Sequence, residues 1–307
     1  MTSRVLVTGG AGFVGSVLSR QLLEKGYIVD CLDSLEKGDG DSLLDIINHP
    51  NFFFHYGDIR DYKLLQTRLN FVDSVIHLAG YVGFPACSRR PEESYSVNVG
   101  GTQELVSRLS TSQKIVNASS GSVYGALDEI CTEESPLNPQ SDYGKQKKIA
   151  EDIVSEHPNS VSYRFATGFG VSPNMRVNLL PNSLMYEAIH NKAFSVFQPD
   201  AKRTFIPVQE MARALIFALE NDFTGVYNCG HENFNLTKRE LAENIKKITS
   251  CTVFYGEYET DPDLRDYKCS YEKLRNLGFI VEGTMNDHLF KLKYAVKLLR
   301  NTNLRYN

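Results

Sequence analysis

The chain has 307 residues, a formal net charge of −4 and 42% hydrophobic residues, enough for a large core and two lobes. A slightly acidic balance leaves no electrostatic footprint for a nucleic-acid partner, and no apolar run approaches the ~20 residues that span a bilayer. Cys31, Cys87, Cys131, Cys229, Cys251 and Cys269 are too scattered for a metal site or a disulfide framework. With no signal-type segment before the first apolar run, the expectation is a cytoplasmic protein with reduced thiols and no metal.

Val5-Leu6-Val7 is a short aliphatic run, the pattern of a strand buried on both faces. It leads into Thr8-Gly9-Gly10-Ala11-Gly12-Phe13-Val14-Gly15. Here Gly9 permits a tight turn, Gly12 lets the backbone approach a pyrophosphate, and Gly15 lets the following helix lie close to the strand. The helix start then presents N–H groups and the positive dipole end to phosphates, with Phe13 and Val14 among the cofactor-binding residues. Leu18, Leu22 and Leu23 follow at helical spacing, and Gly26 ends the helix. Ile28–Asp33 reads as a second strand ending in a carboxylate about 20 residues past the glycines, where a ribose 2′-hydroxyl is bound. That carboxylate repels a 2′-phosphate and no arginine follows it directly, so NAD is favoured over NADP.

Further strands are predicted near 52–57, 73–79, 114–118 and 160–165, with helices near 94–110 and 142–156 between them. This alternation is that of an α/β fold, a doubly wound parallel sheet of the Rossmann type, over residues 1–168. Its ligand lies at the carboxyl ends of the strands, near the switch point. Beyond it the chain is turn-rich, with helices near 209–221 and 237–248. Residues 169–307 are expected to form a smaller mixed α/β substrate lobe, some of whose segments return to the main sheet.

Tyr143-Gly-Lys-Gln-Lys147 places a phenol and an ammonium four apart on one helical face. An alcohol that loses a hydride must lose its proton too. A tyrosine, ordinarily a poor base at neutral pH, becomes one when a nearby Lys⁺ and an oxidised nicotinamide favour the phenolate. Ser119, Ser120 and Ser122 supply hydroxyls about twenty residues earlier. Read alone, the tyrosine–lysine pair also fits a solvated helix face, and Tyr124 is a second phenol without a lysine four residues on.

The spacing Gly-x-x-Gly-x-x-Gly after Thr8 resembles the short-chain dehydrogenase/reductase superfamily, and the resemblance covers most of the chain. Asp58-Ile59 resembles that family's adenine-binding pair. His77-Leu78-Ala79-Gly80 resembles the end of its fourth strand, beside the cofactor ribose. Asn98 resembles the helix asparagine that steadies the active-site backbone. Val116–Gly125 resembles the fifth strand with its catalytic hydroxyl, which by its spacing to Val123-Tyr124-Gly125 is Ser120. The resemblance therefore implies Tyr143, Lys147 and Ser120 as catalytic residues. It points to the extended branch, the nucleotide-sugar epimerases and dehydratases, whose common first step is oxidation of the sugar 4-hydroxyl.

The family's 4,6-dehydratases carry an Asp-Glu pair directly after the catalytic hydroxyl, and its 3,5-epimerases a cysteine; this chain has Gly121-Ser122 there. That implies net 4-epimerisation or 4-dehydrogenation, ahead of a 4-keto-sugar reductase using NAD(P)H, a 4,6-dehydratase or a non-catalytic dinucleotide sensor. Gly83–Pro91, Cys131–Pro136 and Ser172–Val177 resemble bacterial surface-polysaccharide enzymes, among them GDP-heptose 4-dehydrogenases, which favours a GDP-sugar. Arg203 and Arg265 resemble the family's diphosphate-binding arginines, although Pro207 replaces the usual histidine after Arg203. Arginine suits phosphate through its planar fork; a surface ion pair of Arg265 with Asp263 or Asp266 is the plainer alternative. Arg176 and Asn178 are candidate contacts to sugar or nucleotide. Thr167 and Gly168 depart from the asparagine and proline frequent in sugar epimerases. The family also implies a homodimer built on the helices near 94–110 and 142–156.

Overall fold

The structure, a computed structural model, describes residues 3–36, 38, 40–256 and 265–299; the Asp261-Pro-Asp-Leu stretch ahead of Arg265, with Asp263, lies outside the described residues. Seven parallel strands form the central sheet, in the order Gly225–Cys229, Ser160–Phe165, Lys114–Ser120, Ser74–His77, Arg4–Thr8, Ile28–Asp33 and Phe52–Tyr56. The chain starts in the middle, winds outward to Phe52–Tyr56, then crosses back to Ser74–His77. The switch point thus falls between Arg4–Thr8 and Ser74–His77, where Thr8 stands opposite His77. Crossovers diverge there and leave a crevice at the strands' carboxyl ends.

Burial on both faces explains the near-continuous apolar strands: Val5, Leu6, Val7, Val75, Ile76, Ile115 and Val116 are fully buried. Helix Gly15–Glu24 lays Val17, Leu18, Leu22 and Leu23 against the sheet and is released at Gly26, whose φ of +84° suits a residue without Cβ. The last main-sheet strand, Gly225–Cys229, comes from the second half of the chain and pairs with Ser160–Phe165 from Val161 to Phe165.

The segment predicted as one helix over 94–110 is divided. Pro91–Tyr95 and Thr102–Val106 are α-helical, while Ser96–Gly101 between them is a π-helical turn. Gly100-Gly101 weakens helix propensity there. A Cβ on Gly101 would come within 2.6 Å of the Ile59 side chain, so the wide turn lets the backbone pass close to Ile59.

The second half adds three small sheets: Asn235–Thr237, Lys202–Pro207 and Thr167–Phe169; Thr252–Gly256 with Ala193–Phe197; and Asp266–Cys269 with Ala126–Cys131. Helices Leu180–His190, Val208–Glu220, Lys238–Thr249 and Met285–Leu298 surround them. One apolar core runs from Val5 and Leu18 through Leu215 to Leu241 and Leu289, so the two halves are packed together. No described helix is long and apolar enough to cross a membrane.

Candidate active site

A cleft of about 320 Å³ opens at the carboxyl ends of the strands, its lining including Gly9, Tyr143, Lys147, Arg176 and Arg265. At Gly9 and Gly15 no side chain fits. Gly9, at φ +72°, would place a Cβ 2.8 Å from the Ala79 amide nitrogen, and Gly15 would place one 2.3 Å from the Gly9 carbonyl oxygen. The Gly12 N–H donates to that same Gly9 oxygen (3.1 Å). Phe13 and Val14 line the cleft, and the Phe13 carbonyl accepts from the Ser172 hydroxyl (2.7 Å). A planar trans peptide then turns the Val14 N–H the opposite way. This bare, amide-rich cradle at a helix start fits the pyrophosphate of a dinucleotide.

Asp33 ends its strand in the cleft. Its carboxylate accepts the Ala11 N–H (2.9 Å) and the Leu35 N–H (2.9 Å). Burial raises its pKa, and these two amides oppose the rise. Asp58 and Ile59 line the neighbouring wall with Leu78, Ala79 and Gly80. Arg60 grips the Asp58 carboxylate (2.6 Å) and holds its pKa below the usual carboxylate range. Asp33→Ala should weaken NAD and narrow the preference over NADP; titration of both cofactors reads this directly. Unchanged affinities would place Asp33 away from the ribose.

A buried polar chain, not evident in the sequence, fixes Leu78 and Ala79 in that wall. The Thr102 hydroxyl donates to the Asn98 carbonyl (2.6 Å), so its lone pair must accept from Nε2–H of His77 (3.0 Å). Nδ1 of His77 then accepts from the Thr8 hydroxyl (2.8 Å), whose oxygen receives the Leu78 and Ala79 N–H groups. Complete burial, with Lys147 nearby, pushes the His77 pKa down to about 3, so the imidazole stays neutral. From the π-helical turn, Asn98 accepts the Tyr81 N–H (2.7 Å) and donates to the Tyr81 carbonyl (3.0 Å) and to Gln146 (2.8 Å). It thus holds the loop after Gly80 onto helix Asp142–Ser155 without itself lining the cleft.

At the reacting end, Ser141 caps helix Asp142–Ser155 and starts Tyr143 and Lys147 on its buried face. Burial raises the Tyr143 pKa; the Ser120 hydroxyl and the charges of Arg265 and Arg176 pull it back. Burial also lowers Lys147 to about 8, and its ammonium donates to the Ala118 carbonyl (2.8 Å). Ser120 lines the cleft, with its oxygen accepting the Ser122 N–H (3.1 Å) and its hydroxyl reaching Ser122 Oγ (3.1 Å). The neighbouring groups have other partners. Ser119 donates to Glu151 (2.6 Å), and Tyr124 is fully buried between Arg164 (3.0 Å) and Asn228 (2.7 Å). Burial holds the Tyr124 phenol above its ordinary range, and unlike Tyr143 it does not line the cleft.

Of the proposed substrate contacts, Arg176 and Arg265 reach the cleft. Arg265 touches the Ser122 hydroxyl (3.4 Å), and Asp266 takes the Lys202 N–H (2.9 Å). Asn178 and Arg203 are not among the cleft-lining residues. Asn178 is exposed and accepts from Arg176 (3.3 Å), while Arg203 is buried and donates to the carbonyls of Lys202 and Arg265.

Comparison with known proteins agrees with this geometry. Residues 5–230 match the model of the NAD dependent epimerase/dehydratase family. A UDP-glucose 4-epimerase of Halalkalibacterium halodurans is 30% identical over 274 residues, covering 80% of each chain. The low-salt glycan biosynthesis protein Agl12 of Haloferax volcanii is 30% identical over 300 residues, covering 93% of this chain and 96% of its own. Among solved structures, dTDP-glucose 4,6-dehydratase of Bacillus anthracis in complex with NAD superposes with a TM-score of 0.85 at 25% identity, covering 97% of both chains. The Rossmann sheet, the glycine turn and these matches together make the chain a member of the NAD-dependent epimerase/dehydratase family, with NAD as its cofactor.

Proposed function

We propose that the protein oxidises the 4-hydroxyl of a nucleoside-diphosphate sugar and returns the hydride to the opposite face, a net 4-epimerisation; if the ketone leaves first, the net reaction is 4-dehydrogenation. The observation that carries this reading is the buried Tyr143, in the cleft wall, with the Ser120 hydroxyl beside it and Lys147 one helical turn on. NAD, when bound, supplies the hydride acceptor. Tyr143 takes the hydroxyl proton as phenolate. Lys147 offsets the phenolate charge, and Ser120 adds a hydrogen bond to the reacting oxygen. On return, Tyr143 gives the proton back to the re-formed alcohol.

Elimination of water needs a second acid/base pair, and Gly121-Ser122 supplies none at that place. A Cβ on Gly121 would sit 2.4 Å from the Tyr267 hydroxyl, and Ser122 is bonded to Ser120. Arg265 and Arg176, cations on the cleft wall, suit the diphosphate. For the base, three sequence segments favour GDP, whereas the Halalkalibacterium relative is named for a UDP-sugar. The test is a panel of UDP-, GDP- and dTDP-hexoses, followed by NMR at carbon 4 and by reduced-nicotinamide absorbance. An inverted carbon 4 without net NADH is expected; a ketone with one NADH per sugar identifies the dehydrogenase form. No turnover on any member would overturn the reading.

A further inference from the structure

The glycine turn is not held by its own half of the chain alone. The Ala11 carbonyl accepts from Ser42 Oγ (2.8 Å) and from Asn174 Nδ2 (2.8 Å). The Phe13 carbonyl accepts from Ser172 Oγ, which also meets Ser16 Oγ (3.1 Å) and receives the Asn174 N–H (3.1 Å). Ser172 and Ser16 are buried, so these bonds are not exchanged freely with water. Two residues beyond Asn174, Arg176 stands on the cleft wall, where its charge acts on Tyr143. A single five-residue segment therefore grips the pyrophosphate turn at one end and presents a substrate-side cation at the other.

We propose that Ser172 and Asn174 are positioning residues that couple the dinucleotide and nucleoside-diphosphate sites, so that each ligand tightens the other. The proposal rests on the nucleotide-sugar reading above. A nucleoside diphosphate that fixes Arg176 fixes segment 172–176, and through Asn174 and Ser172 the Ala11 and Phe13 carbonyls of the glycine turn. By linkage the effect is reciprocal. Residues 172–174 lie some 160 positions from the turn they hold, so no local folding requirement of the turn explains the pairing.

The test uses full-length holoenzyme carrying radiolabelled NAD⁺, chased with excess unlabelled NAD⁺ with and without saturating UDP, GDP or dTDP. In the wild type, a nucleotide that binds by calorimetry should slow NAD⁺ release by about tenfold. In Asn174→Ala and Ser172→Ala the ratio should fall below about twofold, and Ser172→Thr, which keeps the hydroxyl, should restore it. A purely bracing role would speed release equally with and without nucleotide; that unchanged ratio, or a bound nucleotide that leaves wild-type release unaltered, overturns the coupling while leaving the nucleotide-sugar reading intact. If none of the three nucleotides binds, the nucleotide-sugar reading falls and the coupling with it.

Discussion

Tyr143→Phe should lower turnover by about 10²–10⁴-fold, the range a positioned general base supplies, while the purified protein keeps its NAD content and melting temperature. The phenyl ring fills the same buried space, so only the hydroxyl is lost. The pH profile gives an independent check. The rate should rise with pH as the phenolate forms, along a limb that burial moves up and that Ser120, Arg265 and Arg176 bring only partly back. The residual activity of the variant should lose the acidic limb. A variant that keeps both the rate and the limb would put the proton acceptor on another group.

Gly15→Ala should cost the protein its cofactor. The added methyl would lie 2.3 Å from the Gly9 carbonyl oxygen and 2.6 Å from the Gly10 Cα, all backbone. Gly9 cannot retreat, because it already abuts the Leu78 and Ala79 backbone, and its N–H is fixed to the Leu32 carbonyl (2.8 Å). The helix start must therefore move off the turn, at about 1–3 kcal/mol of stability for overpacking and at roughly a hundredfold or more in NAD affinity. Gly100→Ala is the matched control: no neighbour lies within 4 Å of its Cβ position. NAD titration and thermal melts of the two variants should separate sharply; a Gly15→Ala protein that binds NAD like the wild type would mean that the turn does not hold the pyrophosphate.

Much of this architecture was legible because local rules carry it. The apolar runs at Val5–Val7 and Ile115–Val116 are strands buried on both faces, and the glycines at 9 and 15 are where a Cβ would strike backbone. Four-residue spacing on a helix is enough to send Tyr143 and Lys147 to one side, and both line the cleft. Contacts between distant segments leave no period to read. The hydroxyl–imidazole chain through Thr8, His77 and Thr102 depends on three elements meeting, as does the hold of Ser172 and Asn174 on the turn. Helical periodicity likewise hid the π turn, because one extra residue in a turn barely disturbs an apolar pattern but redirects Asn98 toward Tyr81. Sequence could place Arg203 near Arg265 but not show that its guanidinium would be spent on the Arg265 carbonyl.

The tight seat of Gly121 against Tyr267 sets a condition on any attempt to re-engineer the chemistry. Writing the carboxylate pair of a dehydratase into positions 121 and 122 would first set a Cβ at 121 against the buried Tyr267 hydroxyl, so that the strand end or the phenol must shift. A designer would have to shorten position 267 in the same step, and only then ask whether a new acid could reach carbon 5.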